Sequence, residues 1–394
     1  MKRLLCYIVL LVCCLSAHAQ TKTDDLLQKI NSDSIRSNVE ALEAFPTRFA
    51  FSPFSKDVAF YLKNRMEYYG FETVIDSFYM EDYIWGDMER SENMFLYNVL
   101  ALKYAYNQNT DTSIFLGAHY DNRSTSFSFN DSYILAPGAD DNASGVACLL
   151  EIARVLSEST IENKYNIRIE FYAGEEVNLL GSSHRLQSIS YDWTPYPIAM
   201  INLDMVGNNL SDSIQINYYD NCDWLTNIVY NNTITHTNLI PKFTQEFIER
   251  SDSWMFFAWG FDAVFLSEND FSPFYHTPQD SSVFLDYDYM SKITNITLAT
   301  TFDIMNKGRE DVFIENEATD NEDIICYFDN ATIYLPKLPN NLRNIVLVNQ
   351  LGEIVFETNK AEQKINISTL PKGCYILLLE TTTTTKIVKK IIKF

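Results

Sequence analysis

Apolar residues recur at helical spacing over residues 33–42 and 56–69, and Gly70 stops the second run. The periodicity then shifts, and residues 71–79 and 93–104, rich in aromatic and β-branched side chains, read as strands. A short apolar strand over 113–117 runs into His119. Residues 144–156 form a helical pattern with Val146, Leu149, Leu150 and Ala153 on one face. Strand 166–172, a short helix near 182–187 and strands 198–203 and 213–218 follow. A helix over 224–231, a strand over 263–266 and a helix from Tyr287 to about Asn306 complete the body. Near-continuous apolar strands alternating with helices predict an α/β sheet covered on both faces.

The pattern changes near residue 310. Residues 310–324 are polar and acidic and read as a linker between a body over 20–309 and a tail over 325–394. In the tail, strands are expected at 332–335, 344–349, 353–358, 364–367, 374–380 and 386–392, a small all-β sandwich. At the other end, Lys2 and Arg3, an apolar run over 4–15 and Ala17-His18-Ala19 read as a secretory signal peptide over 1–19. That run is too short to anchor a chain in a bilayer, and no later segment reads as transmembrane.

Composition changes this picture in two ways. The net charge is −22, yet the stretch from Ile325 onward holds more Lys and Arg than Asp and Glu, so the acidity belongs to the body. Such a body repels nucleic acid and anionic membranes and favours a substrate carrying a positive amine, besides keeping a secreted chain soluble. The cysteines outside the leader, Cys148, Cys222, Cys326 and Cys374, are too few for a disulfide framework. Cys148 reads as a small buried hydrophobe, and a pair between Cys326 and Cys374 is permitted by export but not required.

Five side chains stand out as potential metal ligands: His119, Asp141, Glu176, Asp204 and His276. In Gly117-Ala118-His119-Tyr120-Asp121, residues two apart at a strand end point the same way, so Asp121 can accept a hydrogen bond from the non-ligating nitrogen of His119. Alone, that pentapeptide reads more readily as a surface turn. Residues 137–145, Pro-Gly-Ala-Asp-Asp-Asn-Ala-Ser-Gly, are more specific: small residues let the backbone approach an ion, and a helix cap would need only one Asp or Ser. Glu175 and Glu176 follow strand 166–172 and project differently, so one suits metal binding and the other proton transfer. Asp204 ends an apolar strand where an α/β crevice opens, and His276 lies in a loop with Asp280 nearby.

In order, these motifs resemble the zinc-dependent aminopeptidase family of secreted bacterial di-zinc exopeptidases, over roughly residues 33–306. The resemblance implies a mixed, mostly parallel sheet sandwiched by helices, holding two zinc ions. Asp141 would bridge the ions, His119 and Asp204 would complete one site, and Glu176 and His276 the other. Glu175 would be the general base, Asp121 would orient His119, and the peptide bond after Asp141 would be cis. Ser251-Asp252-Ser253 departs from the family's Ser-Asp-His, which leaves the pocket wall open, and no oxyanion-assisting tyrosine can be singled out among 24. Residues 346–355, 365–375 and 389–393 resemble the C-terminal sorting domain of the type IX secretion system. A carbohydrate-binding or purely structural sandwich is the plainer reading of that tail.

The expectation is therefore a secreted or cell-surface metallo-exopeptidase that removes N-terminal residues from peptides with a free N-terminus. It would be handed to a secretion machinery by its tail, with no nucleic-acid partner. The competing readings are a glutaminyl cyclase-like enzyme with one zinc, a carboxypeptidase using Arg123 or Arg250, and a non-catalytic peptide-binding module.

Overall fold

The apolar runs of the body assemble into one eight-stranded sheet in the computed structural model. It describes residues 23–307 apart from 87–90, 107–109, 126–127, 160–162 and 193–195. It further describes 327–393 apart from 329–331, 336–337, 339–340, 350–352, 363, 372 and 383–385. The expected signal segment 1–19, the acidic stretch 310–324 and Cys326 lie outside the described residues. The chain divides into two units, one ending at Val312 and the other starting at Phe313.

In the first unit the strands are β1 (Glu72–Tyr83), β2 (Glu92–Lys103), β3 (Thr112–His119), β4 (Asn166–Tyr172), β5 (Tyr196–Leu203), β6 (Ser213–Tyr218), β7 (Ile240–Thr244) and β8 (Ala263–Glu268). Their order is β1-β2-β4-β3-β5-β8-β6-β7. The centre, β4-β3-β5-β8, is parallel, whereas β1 and β2 are joined antiparallel at one side and β6 meets β8 antiparallel at the other.

Burial follows from this order. Every residue of β8 is buried and nearly every one of β3 and β4, whereas the edge strand β7 is mostly exposed. Side chains alternate between faces, so Ile114, Leu116 and Ala118 enter one core while Phe115 enters the other. The first core is filled by helices α1 (Ser32–Glu43), α2 (Ser55–Tyr68), α3 (Gly145–Ser157), α5 (Asp223–His236) and α7 (Tyr287–Lys307). The second takes Leu186 and Ile189 of α4 (Leu180–Asp192) and Phe256 of α6 (Ser253–Ala258). Cys148 is free and buried in α3, in the small apolar role its neighbours imply.

Three pieces differ from the sequence pattern. Strand β7 contains Pro241, which reads as a strand breaker but is tolerated at a sheet edge. Helix α4 is about twice the expected length, running on to Asp192 and taking in Gly181 at its start. A Cβ there would stand 2.4 Å from the Asn98 carboxamide and 2.5 Å from the Ala173 carbonyl, so the helix start needs glycine for close approach. Helix α6 is a short aromatic turn that carries no clear helical period.

In the second unit, β9 (Tyr327–Phe328), β10 (Thr332–Tyr334) and β13 (Lys364–Asn366) form a three-stranded sheet. A four-stranded antiparallel sheet, β12-β11-β14-β15, is built from β11 (Leu342–Asn349), β12 (Ile354–Thr358), β14 (Gly373–Thr381) and β15 (Lys386–Lys393). Ile333 and Ile365 of the first sheet share a core with Ile345, Leu347, Leu377 and Leu379 of the second. This all-β packing follows the expected sandwich.

Candidate metal centre and pocket

Parallel strands send their C-terminal ends to one edge of a sheet, where α/β folds open a crevice. His119 is the last residue of β3, Glu175 and Glu176 follow β4, and Asp204 follows β5. His276 lies in the loop after β8, and Asp141 in the tight turn before α3. The five expected ligands thereby converge into two triads that share Asp141, one with His119 and Asp204 and one with Glu176 and His276.

The distances divide Asp141 between the two. Its Oδ1 lies 3.2 Å from Nε2 of His119, and its Oδ2 lies 3.0 Å from Nε2 of His276. Nε2 of His119 is also 3.1 Å from Asp204 Oδ1, and Nε2 of His276 is 3.1 Å from Glu176 Oε2. Glu175 Oε2 stands 4.0 Å from the His119 ring.

Backbone and buried polar groups hold each piece. Nδ1 of His119 donates to the Asp121 carbonyl oxygen at 3.1 Å. The Asp121 carboxylate, expected to take that role, lies 3.6 Å from Nδ1 and instead accepts the backbone N–H groups of Glu175 (3.1 Å) and Glu176 (3.4 Å). Asp121 thus ties the β3 end to the β4 end. The Asp280 carboxylate accepts the N–H groups of Asp140 (2.9 Å) and Asp141 (3.1 Å), fixing the central turn. Gly138 opens that turn at φ +56°, with the Asn122 side chain 2.5 Å from where a Cβ would sit. The Asp141–Asn142 peptide bond is cis. Ser251 donates to Asp204 Oδ2 at 2.6 Å and accepts from Asn202 at 2.6 Å.

Arg48, which sequence reasoning passed over, is fully buried beneath the centre. Its guanidinium donates to the carbonyls of Tyr120 (2.9 Å), Pro137 (2.6 Å), Gly138 (2.7 Å) and Leu42 (3.2 Å), clamping the two ligand-bearing loops together. Arg123 is nearer the ions' expected place, with Nε 2.9 Å from Glu176 Oε2 and 3.1 Å from His276 Nδ1.

The donor set fits divalent metal. Because Nδ1 of His119 gives its proton to a carbonyl, the neutral ring aims a lone pair from Nε2 at two carboxylate oxygens. Only a proton or a cation relieves that repulsion. Burial pulls the His119 pKa down, yet Asp204 and Glu175 outweigh it and raise it well above the usual value. His276 is likewise opposed by burial and lifted by Glu176 and Asp141 to about 9. Burial and neighbouring acids push the Glu175 carboxyl well above the carboxylate range and raise Glu176 too. The buried Glu176 Oε1 has no hydrogen-bond partner among the described residues. A site that holds protons so avidly when it has only its own side chains is one in which a metal cation can take their place.

Beside the carboxylates opens a cavity of about 240 Å3 lined by Met205, Phe247, Phe265, Phe271 and Tyr275, with Arg250, Ser267 and Glu268. Tyr275 stacks on the His276 ring with centroids 3.6 Å apart, which singles it out from the other tyrosines. Ser253, where the motif departs from the family, is buried and hydrogen-bonded to the Tyr219 hydroxyl at 2.8 Å. His184 stacks on Phe78 and pairs with Asp76, in keeping with a packing role.

Residues 98–301, more than half of the chain, match peptidase family M28, and residues 328–393 match the secretion system C-terminal sorting domain. The aminopeptidase YwaD of Bacillus subtilis (strain 168) is 27% identical over 227 residues, covering 56% of this chain and 47% of that relative. The chain thus spans about half of that relative's length. Leucine aminopeptidase 1 of Coccidioides posadasii (strain C735) is 28% identical over 304 residues, 72% of this chain and 74% of that one. Among solved structures, BSAP, a zinc aminopeptidase from Bacillus subtilis, superposes with a TM-score of 0.59 at 18% identity, covering 70% of this chain and 95% of its own. That likeness is one of fold. Among the described residues no helix is long and apolar enough to cross a membrane.

Proposed function

The chain belongs to peptidase family M28, and from that premise we propose that it is a zinc aminopeptidase exported by its C-terminal sorting domain. The observation that carries the reading is the split of Asp141 between two histidines, each of which faces a further carboxylate. That arrangement suits two zinc ions, one held by His119, Asp141 and Asp204 and the other by Asp141, Glu176 and His276. The relatives named as aminopeptidases, one of them a zinc enzyme, support the same reading.

Zinc bound there supplies Lewis acidity, which polarises a carbonyl and acidifies water. The rest falls to the chain. Glu175 belongs to neither triad, sits within 4.0 Å of His119 and has a carboxyl whose proton affinity is raised, so it is placed to take a proton from water and pass it to the leaving amine. Asp121 holds the backbone of Glu175 and Glu176, keeping base and ligand apart in their separate directions. The carboxylates that line the pocket, Asp141, Glu175, Glu176 and Asp204, favour a free α-amine.

A panel of peptides with free, acetylated and glutamine N-termini tests the reading. Hydrolysis of the free N-termini alone, lost on chelation and regained with zinc, is expected. Pyroglutamate formation would give the chain to the cyclase reading, and release of C-terminal residues to the carboxypeptidase reading. Zinc retention with no turnover of any peptide would favour a binding module.

A further inference from the structure

We propose that the arm formed by the outer halves of β1 and β2, with the turn at residues 129–135, is a docking surface for the residues that follow the scissile bond, and that it favours apolar ones. This rests on the aminopeptidase reading above. The strand registers place the arm. Strand β2 pairs with β4 only from Val99, opposite Phe171, to Lys103. Residues 92–98 of β2 and their partners on β1, from Glu92 opposite Tyr83 to Asn98 opposite Asp76, run on past the end of β4 from which Glu175 and Glu176 follow. At roughly 3.3 Å per residue, the arm rises about 20 Å beyond the edge where the carboxylates gather.

The end of the arm is tied to both ligand-bearing loops. The Tyr83 hydroxyl donates to the Val177 carbonyl at 2.7 Å, one residue past Glu176. Across the strand pair, Glu92 accepts from the Tyr133 hydroxyl at 2.6 Å, just upstream of the turn that carries Asp141. Rings brace the same end: Tyr133 and Phe49 are 4.9 Å apart, Phe49 and Phe51 5.7 Å, and Phe51 and Tyr83 5.7 Å, centroid to centroid. The arm therefore stands as a fixed wall on the β4 flank of the centre. The cavity bounded by Met205, Phe265 and Ser267 lies on the other flank, after β5 and along β8.

The wall is apolar where it meets water. Next to Tyr83, Ile84 and Trp85 are 58% and 39% exposed, and next to Tyr133, Ile134 and Leu135 are 73% and 46% exposed. Because Tyr83, Glu92 and Tyr133 join one another, these four side chains stem from one stretch of rim. Scattered exposed apolar residues are ordinary on a surface, but a group of them at the mouth of a site marks a place of contact. Position names the occupant. A peptide whose free amine and first carbonyl sit at the carboxylate cluster sends the rest of its chain outward past the walls, and on the β4 flank it meets Ile84, Trp85, Ile134 and Leu135. These four side chains carry no charge, so apolar residues gain most from burial against them.

The test compares substrates that share an N-terminal leucine, on the zinc-loaded full chain. They are leucine amide, a tetrapeptide amide that continues with alanine, leucine and phenylalanine, and one that continues with glycine and serine only. The apolar tetrapeptide should exceed the polar one in kcat/KM by at least about tenfold, chiefly through KM. Trp85→Ala and the double variant Ile134→Ser with Leu135→Ser should each cut that ratio several-fold. Both should leave leucine amide turnover unchanged, which also shows that they fold. Equal values for the two tetrapeptides, or a ratio unmoved by both variants, overturns the inference. So does a parallel loss of leucine amide and tetrapeptide turnover, which would make these residues part of the scaffold alone. Calorimetric titration of both tetrapeptides into Glu175→Gln separates the two readings. If the wild type turns over no substrate but the apolar tetrapeptide still binds about tenfold tighter, the aminopeptidase reading falls and the docking surface stands.

Discussion

The two triads that share Asp141 are each built from one histidine and two carboxylates and are not alike. On the His119 side the ring is fixed by the Asp121 carbonyl, Asp204 is anchored by Ser251, and no Lys or Arg pairs with either ligand among the described residues. On the His276 side a guanidinium is already present: Arg123 pairs with Glu176 and reaches the ring. His276 also adopts a left-handed backbone at φ +55°, a sparsely populated region for a residue that is not glycine. One side is braced by neutral donors and acceptors, and the other is held by a charge that competes with a cation for the same oxygens. The lesson is that a shared bridging carboxylate does not make two equal sites.

The most severe way to break the comparison is to remove what the triads share. Asp141→Asn should abolish retention of both ions and all measurable turnover, read by elemental analysis after dialysis. Retention of one ion would show that the halves are independent. Glu175→Gln is next, with kcat reduced about 10²- to 10⁴-fold, the usual contribution of a general base, and metal content unchanged.

Changes behind the ligands should be smaller. Asp280→Asn weakens the acceptor that fixes the Asp140 and Asp141 backbone, and a loss of about 10- to 100-fold in metal affinity is expected from groups that orient ligands. Arg48→Lys keeps the charge but loses the fork that spans four carbonyls. It should lower stability by about 1–3 kcal/mol for carbonyls left unpaired and loosen metal binding on both sides, measured by chelator competition well below the melting temperature. The smallest effect sharpens the contrast itself. Arg123→Ala should slow zinc loss from the Glu176 and His276 side several-fold and leave the His119 side unchanged, giving two chelation phases that draw together.

Much of this was legible because the chemistry lies in short contiguous runs at strand ends. Residues 117–121, the Glu175-Glu176 pair and Asp204 each sit where a hydrophobic strand stops, and residues 137–145 are a contiguous run of small and acidic residues before a helix. The braces were not legible. Arg48 and Asp280 act across 90 and 139 residues of sequence, on backbone carbonyl and N–H groups that no side-chain pattern advertises. Asp121 was found, but its carboxylate turned out to serve the neighbouring strand's turn, because its own carbonyl already meets the His119 ring. Tyr275 was hidden among many tyrosines until the His276 loop brought it onto the pocket. Pocket walls made by Phe247, Phe265 and Phe271 come from separate loops and a strand, and only the fold joins them.

The account's central claim is a pair of zinc ions on five ligands with Glu175 kept out of the ligand set. Native mass spectrometry of the wild-type chain and Glu175→Gln, each reconstituted with zinc and assayed on the same free-amine peptide, tests it most directly. Two zinc ions in both proteins, with turnover only in the wild type, is the predicted result. A single zinc in the wild type, or loss of zinc in Glu175→Gln, would contradict it.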